Sequence, residues 1–193
     1  AHKIGMDEAL RRLADVDQAE DGLLVCYDAD CRCSTNYFTG IESHFAAHPR
    51  APGCSIHFEH PLDAGEWSAH GFGGRAPGQM VFDGIAAYEL HLRYHVSAQK
   101  FIGFPYAFHT IGSCIATVPT AYAGVRGVPK RQAGEDFYLL NKLAKLGGIH
   151  TARSSPITIR ARSSLRVPFG TGRATHDIAR NIAKELRHQI GRS

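Results

Sequence analysis

Apolar residues recur at helical spacing near the start of the chain, at Met6, Leu10 and Leu13. They predict a helix from about Met6 to Glu20, interrupted by Gly22. Leu23-Leu24-Val25-Cys26-Tyr27 shows no alternation, the pattern of a short strand covered on both faces. Phe38, Ile41 and Phe45 mark the apolar face of a second helix, capped by Ser34 or Thr35 and ended by Pro49 to Gly53. Cys54 to Glu59 alternates, as a strand does. From Pro61 to Met80 the chain is rich in glycine and lacks a period, which predicts a long surface loop. Ile85, Tyr88, Leu92 and Val96 then share one side of a helix capped by Asp83, and a further apolar run surrounds Cys114 to Val118.

The next helical pattern opens after Gly134. It carries Phe137, Leu140 and Ala144, with Leu139, Leu143 and Leu146 beside them, and stops at Gly147-Gly148. Arg153 to Gly172 is basic and glycine-containing, without a helical period. Thr175 caps a last amphipathic helix, 173–193, whose apolar face is Ile178, Ile182, Leu186 and Ile190. Its other face bears Arg180, Lys184 and Arg187. No internal repeat or dividing linker is visible. Strands alternating with helices imply an α/β layered fold in a single domain over 1–193.

Composition narrows the function. The 193 residues are 44% hydrophobic and 21% charged, ordinary for a globular chain with a substantial core. The net charge of +4 suits an anionic ligand such as a nucleotide diphosphate, but is too small and dispersed to indicate nucleic acid. Five cysteines form no disulfide-scaffold pattern, which points to a reducing, cytoplasmic setting. No apolar run approaches the ~20 residues of a membrane span. The basic face of the last helix is either a solvated face or a peripheral contact with an anionic membrane surface.

Two acidic motifs carry the candidate chemistry. Asp28-Ala29-Asp30 follows an apolar run, where alternate carboxylates at a strand end can face one hard cation, Mg²⁺ or Mn²⁺, together with substrate phosphates. The same residues also suit a solvated turn. Glu135 and Asp136 open a helix, where a carboxylate can accept a proton from an attacking hydroxyl, or simply complement the helix dipole. Arg160, Arg162 and Arg166 lie near Phe169-Gly170-Thr171-Gly172 and suit phosphate oxygens, or form a solvated basic stretch. A competing zinc reading uses Cys31, Cys33, Cys54, His57 and His60, but no Cys-x-x-Cys pair exists, and strand alternation separates Cys54 from His57. His109 reads as a polar group near a cleft or as a core histidine.

Taken in order, Asp28-Ala29-Asp30 after an apolar strand and Gly134-Glu135-Asp136-Phe137 opening a leucine-rich helix resemble the family 2 glycosyltransferases of the GT-A fold. Lys3-Ile4-Gly5-Met6-Asp7-Glu8-Ala9 resembles the segment preceding that family's Asp-x-Asp strand. His109-Thr110-Ile111-Gly112-Ser113 resembles the region lining donor sugar and acceptor, and Arg162 to Gly172 a tail segment of a bacterial subgroup. The resemblance implies a GT-A layered sheet with flanking helices. It implies a metal bound by Asp30, with Asp28 at the ribose or the metal shell, and Asp136 as the general base of an inverting displacement. Glu135 would orient the acceptor, Gly112 and Ser113 would lie by the donor sugar, and Arg162 and Arg166 would support the diphosphate. His150 and His176 are candidates for a further metal ligand. The family's opening βα units, roughly a hundred residues, have no counterpart here. The chain therefore reads as the carboxyl-terminal portion of a longer protein, with a sheet edge left open to self-association.

The expected activity is transfer of a sugar from a nucleoside diphosphate sugar to a glycan, polysaccharide or lipid-linked acceptor, bound under the 61–80 loop, with Mn²⁺ or Mg²⁺ as cofactor. The expected location is the cytoplasm or the inner face of its membrane. Two other classes are a non-catalytic sugar- or nucleotide-binding module and a metal-dependent phosphohydrolase. The phosphohydrolase is disfavoured by the lack of a His-rich two-metal pattern.

Overall fold

The first helix forms where methionine and leucine repeat on one face. It spans His2–Asp15 (α1) and buries Met6. The periodicity alone places both ends of this helix later. Asp17 takes a left-handed φ of 56°, and Gln18 N donates to Leu13 O, closing the helix ahead of Gly22. The exposed side of α1 is laced by pairs at i,i+3 and i,i+4: Lys3 with Asp7, and Arg11 and Arg12 with Glu8.

The computed structural model describes residues 2–131, 134–162 and 177–178. Arg166, His176 and most of the expected 173–193 helix lie outside the described residues. The chain divides into two units, Ala1–Phe58 with Gln99–Ile157, and Glu59–Ala98 with Thr158–Ser193.

The first unit is mixed α/β, with a five-stranded sheet and flanking helices. Its strands are β1 (Leu24–Val25), β2 (Cys31–Cys33), β3 (Gly53–Glu59), β4 (Ile115–Thr117) and β5 (His150–Ile159), in the order β1-β4-β3-β5-β2. β4 runs antiparallel to both neighbours: Thr117 stands opposite Leu24 and Gly53, and Ala116 opposite Val25 and Cys54. This explains why the alternation of Cys54 to Glu59 does not become one dry and one wet face. β3 is an inner strand, and its first four residues are all buried. Ser55 and Thr151 hydroxyls meet at 3.0 Å, and Thr117 Oγ1 donates to Pro52 O at 2.7 Å, while Ser155 Oγ in β5 is buried without a hydrogen-bond partner. β5 occupies the stretch whose arginines and serines read as a basic segment without period.

Helices cover this sheet. The second helix, α2 (Tyr37–Ala47), follows Asn36 and buries Tyr37, Gly40 and Ile41. Phe38, expected on its apolar face, is 68% exposed. Two later helices are α5 (Pro119–Gly124), which the sequence pattern did not predict, and α6 (Glu135–Leu143). α6 buries Leu139, Leu140 and Leu143 against Met6, Leu24, Ile115 and Tyr122, while Phe137 and Leu146 stay exposed. Each buried leucine contributes about 2 kcal/mol relative to an exposed one. This core anchors α1, β1 and α6, the three elements that carry the acidic motifs and their neighbours.

The second unit contains α3 (Ala64–Ala69) and most of α4 (Gln79–Phe101). α3 lies inside the stretch expected to be loop. Asp63 caps it by accepting from Glu66 N at 2.8 Å, and Glu66 returns a carboxylate to Leu62 N at 2.8 Å. α4 begins four residues before Asp83, which instead receives a bond from Gln79 Nε2 at 2.9 Å. Trp67, Phe72, Phe82, Ile85 and Ala161 form a small core. Above it His60 Nδ1 meets Glu89 at 2.7 Å, and Arg93 Nε donates to the same carboxylate at 2.9 Å. Among the described residues no helix is long and apolar enough to cross a membrane.

Candidate functional site

Beyond β1 the backbone continues its ladder with Cys26 N donating to Ile115 O, and then turns where Cys31 N donates to Asp28 O at 3.0 Å. Asp28 and Asp30 therefore belong to the turn between β1 and β2. Glu135 and Asp136 occupy the first turn of α6. Their placement depends on Gly134, whose φ of 70° is a left-handed entry that a side chain would strain. Gly112 and Ser113 lie just ahead of β4.

His2, at the start of α1, is where these segments meet. Its Nε2 is 3.1 Å from Asp28 Oδ1, and its Nδ1 is 3.8 Å from Glu135 Oε1. Gly112 makes room for the ring: a Cβ at that position would stand 2.8 Å from His2 Cε1 and 3.6 Å from Asp136 Oδ2. One imidazole thus sits among Asp28, Glu135, Asp136 and Gly112. The side chains of His2, Glu135 and Asp28 are 25%, 33% and 46% exposed, so the cluster opens to solvent.

The electrostatics follow from this crowding. The hydrogen bond to Asp28 raises the pKa of His2 above its ordinary value; burial opposes, and the charges of Asp28 and Glu135 add to the rise. Burial raises the carboxyl of Asp136, and Glu135 adds like-charge repulsion, against a 2.8 Å bond from Phe137 N. Burial pushes Cys26 up to about 12, with help from the charges of Asp28 and Asp136. Burial likewise pushes Cys31 up to about 11; Asp28 and Asp30 add to this, and a bond with Ser113 opposes it. Asp30 and Ser113 are therefore grouped around Cys31, beside the His2 cluster.

Of the residues expected from sequence, Asp28, Glu135, Asp136 and Gly112 come together around His2, while Asp30 and Ser113 join through Cys31. Arg162 lies exposed in the second unit, and Arg166 is outside the described residues. His109 packs edge-on against Phe58 at 5.2 Å, and His150 stacks on His48 at 4.4 Å. His2 carries no sequence signal, because a lone histidine near a chain start acquires partners only through the tertiary fold.

Asp28 and Asp30 have the donor chemistry of a hard-cation site. Mg²⁺ and Mn²⁺ commonly take one or two carboxylates and complete their shell with substrate phosphates and water. Among the described residues no group of three or more His, Cys, Asp or Glu is arranged to hold a metal ion. Compared with known proteins, the chain matches no family model, no characterised protein and no solved structure.

Proposed function

We propose that this chain is the catalytic portion of a metal-dependent inverting glycosyltransferase with a GT-A type fold. It would move a sugar from a nucleoside diphosphate sugar to a glycan, polysaccharide or lipid-linked acceptor. The observation that carries this reading is the convergence of two acidic motifs, distant in sequence, on one open cluster around His2 and Gly112. A turn carboxylate pair suits the donor diphosphate; a helix-start carboxylate pair suits the acceptor hydroxyl.

In this mechanism the acceptor oxygen forms a bond to the anomeric carbon as the bond to the diphosphate oxygen breaks on the opposite face. The hydroxyl proton passes to Asp136. Burial raises the affinity of this carboxyl for a proton, which suits a general base better than an ordinary aspartate. Glu135 orients the acceptor, and Gly112 and Ser113 border the donor sugar. His2 holds Asp28 in place before the donor arrives. Asp30 and Asp28 would hold a divalent cation, which would neutralise the departing diphosphate. The setting proposed for the reaction is the cytoplasm or the inner face of its membrane.

The test is calorimetric titration of UDP-, GDP- and dTDP-sugars with Mn²⁺, paired with a transfer assay. Support is binding that Asp28→Asn abolishes and Asp136→Asn preserves, with transfer lost in Asp136→Asn by roughly 10²-fold or more. Binding without transfer in the unaltered chain assigns a non-catalytic nucleotide-sugar module instead. Binding unaffected by Asp28→Asn, or no binding across the panel, overturns the reading.

A further inference from the structure

At the carboxyl end of α2 three histidines form a stack. Ring centroids of His44 and His48 are 4.5 Å apart and those of His48 and His150 are 4.4 Å apart, with planes inclined by 27° and 30°. His48 Nδ1 donates to His44 O at 2.9 Å, which fixes the middle ring. His44 Nε2 is buried without a hydrogen-bond partner. Burial first, then the two neighbouring imidazoles, lower its pKa, so His44 is the neutral floor of the stack.

Beside the stack is a cavity of about 560 Å³ lined by His48, Arg50, Gly147, Gly148 and His150, together with small apolar groups. That volume lies within the range of small-molecule sites. None of its lining residues is acidic. Arg50 forms no ion pair among the described residues. The glycines keep the cavity open. A Cβ on Gly148 would stand 3.0 Å from His150 Nε2, and one on Gly147 would stand 3.0 Å from both Arg50 O and the Pro52 ring.

The negative pole of α2 points toward this region and would by itself repel an anion. Two of its last carbonyls are capped: His44 O and Phe45 O both accept from His48 N at 3.1 Å. What remains facing the cavity is a guanidinium and two imidazoles. We propose that this cavity binds a small phosphomonoester, with Arg50 in fork contact with the phosphate oxygens, His150 donating from the side and the His48 ring lying beside them. The site shares no residue with the acidic cluster and stands independently of the glycosyltransferase reading.

The experiment titrates inorganic phosphate, and separately glycerol 3-phosphate, into the intact chain. The imidazole signals of His48 and His150 are followed by NMR, with ionic strength held by NaCl. The expected result is a saturable shift of both rings, retained in Asp28→Asn and weakened roughly tenfold or more by Arg50→Ala, the loss of one charge-assisted contact. Because Arg50 is exposed, Arg50→Ala should keep the parent circular dichroism spectrum; His150→Gln provides a second variant with the same expected weakening. Absence of saturation, an equal response to chloride, or unchanged affinity in both variants overturns the proposal. A response to Zn²⁺ with none to phosphate overturns it in favour of a metal site.

Discussion

His2 Nε2 lies 3.1 Å from Asp28 Oδ1, so the first turn of α1 is tied to the turn that follows β1. The bond makes His2 a stronger base in the folded chain than in the unfolded one. A histidine with a raised folded pKa stabilises the fold fully below its ordinary value of 6.5, and this stabilisation is lost as pH rises through the folded pKa. Asp28→Asn removes the main cause of the rise. Gly112→Ala pushes the ring aside, since the added methyl would sit 2.8 Å from Cε1. In an NMR titration both variants should move the His2 midpoint down; an unchanged midpoint would show that the pairing does not persist in solution.

Asp136 runs the opposite way. Its carboxyl pKa is raised chiefly by burial, so ionisation at neutral pH opposes folding, and the opposition fades as pH falls toward and below the ordinary 3.8. Asp136→Asn keeps an oxygen to accept from Phe137 N and removes the charge. The variant should melt at a higher temperature than the parent near neutral pH, with the gap narrowing in acid. A variant less stable at neutral pH would contradict the crowding described for this cluster.

In the second unit Glu89 is held by His60 and Arg93. Burial works to raise its pKa, but these two hydrogen bonds and charges outweigh it and the net direction is down. A carboxylate with a depressed folded pKa contributes stability above its ordinary 4.5, which is lost as pH falls toward the folded value. The His60 side chain is 1% exposed and that of Glu89 15%, so breaking the pair strands a buried polar group. Glu89→Ala should cost roughly 3 kcal/mol near neutral pH, read from denaturant midpoints. Glu89→Gln should flatten the acid limb of the stability curve.

The parts of the fold legible in sequence are those whose pattern is local. The leucines of α6 and the glycine before them mark a helix with acidic residues in its first turn, and that is where it lies. The 61–80 stretch reads as loop because its glycines fall among its apolar residues and break any helical period. Yet Asp63 and Glu66 already had the spacing of a reciprocal cap, the one available sign of α3. β5 was hidden because Arg153, Ser154 and Ser155 interrupt its apolar residues, and its strand character comes from pairing in the sheet. The acidic half of the candidate site was visible in two motifs. His2 was not, since only folding brings it to Asp28.

The cysteines offer a chemical readout of the same burial. All five are free, and Cys26, Cys31, Cys54 and Cys114 are buried, whereas Cys33 is exposed. Burial pushes Cys26 and Cys54 up to about 12 and Cys31 to about 11, and raises Cys114 as well, so thiolate is scarce at all four near neutral pH. Iodoacetamide on the native protein should label Cys33 first, as read by peptide mass spectrometry. Labelling of Cys26 at a comparable rate would mean that the core around Met6 opens readily.

Among the described residues the sheet order places short strands at both margins: β1 with two residues and β2 with three. The long strands β3 and β5, with seven and ten residues, are enclosed between neighbours. An incoming strand could add only a few backbone bonds at either margin, too little to template stacking of chain upon chain into fibrils. The longest strands of the sheet thus lie where an incoming chain meets a short marginal strand first.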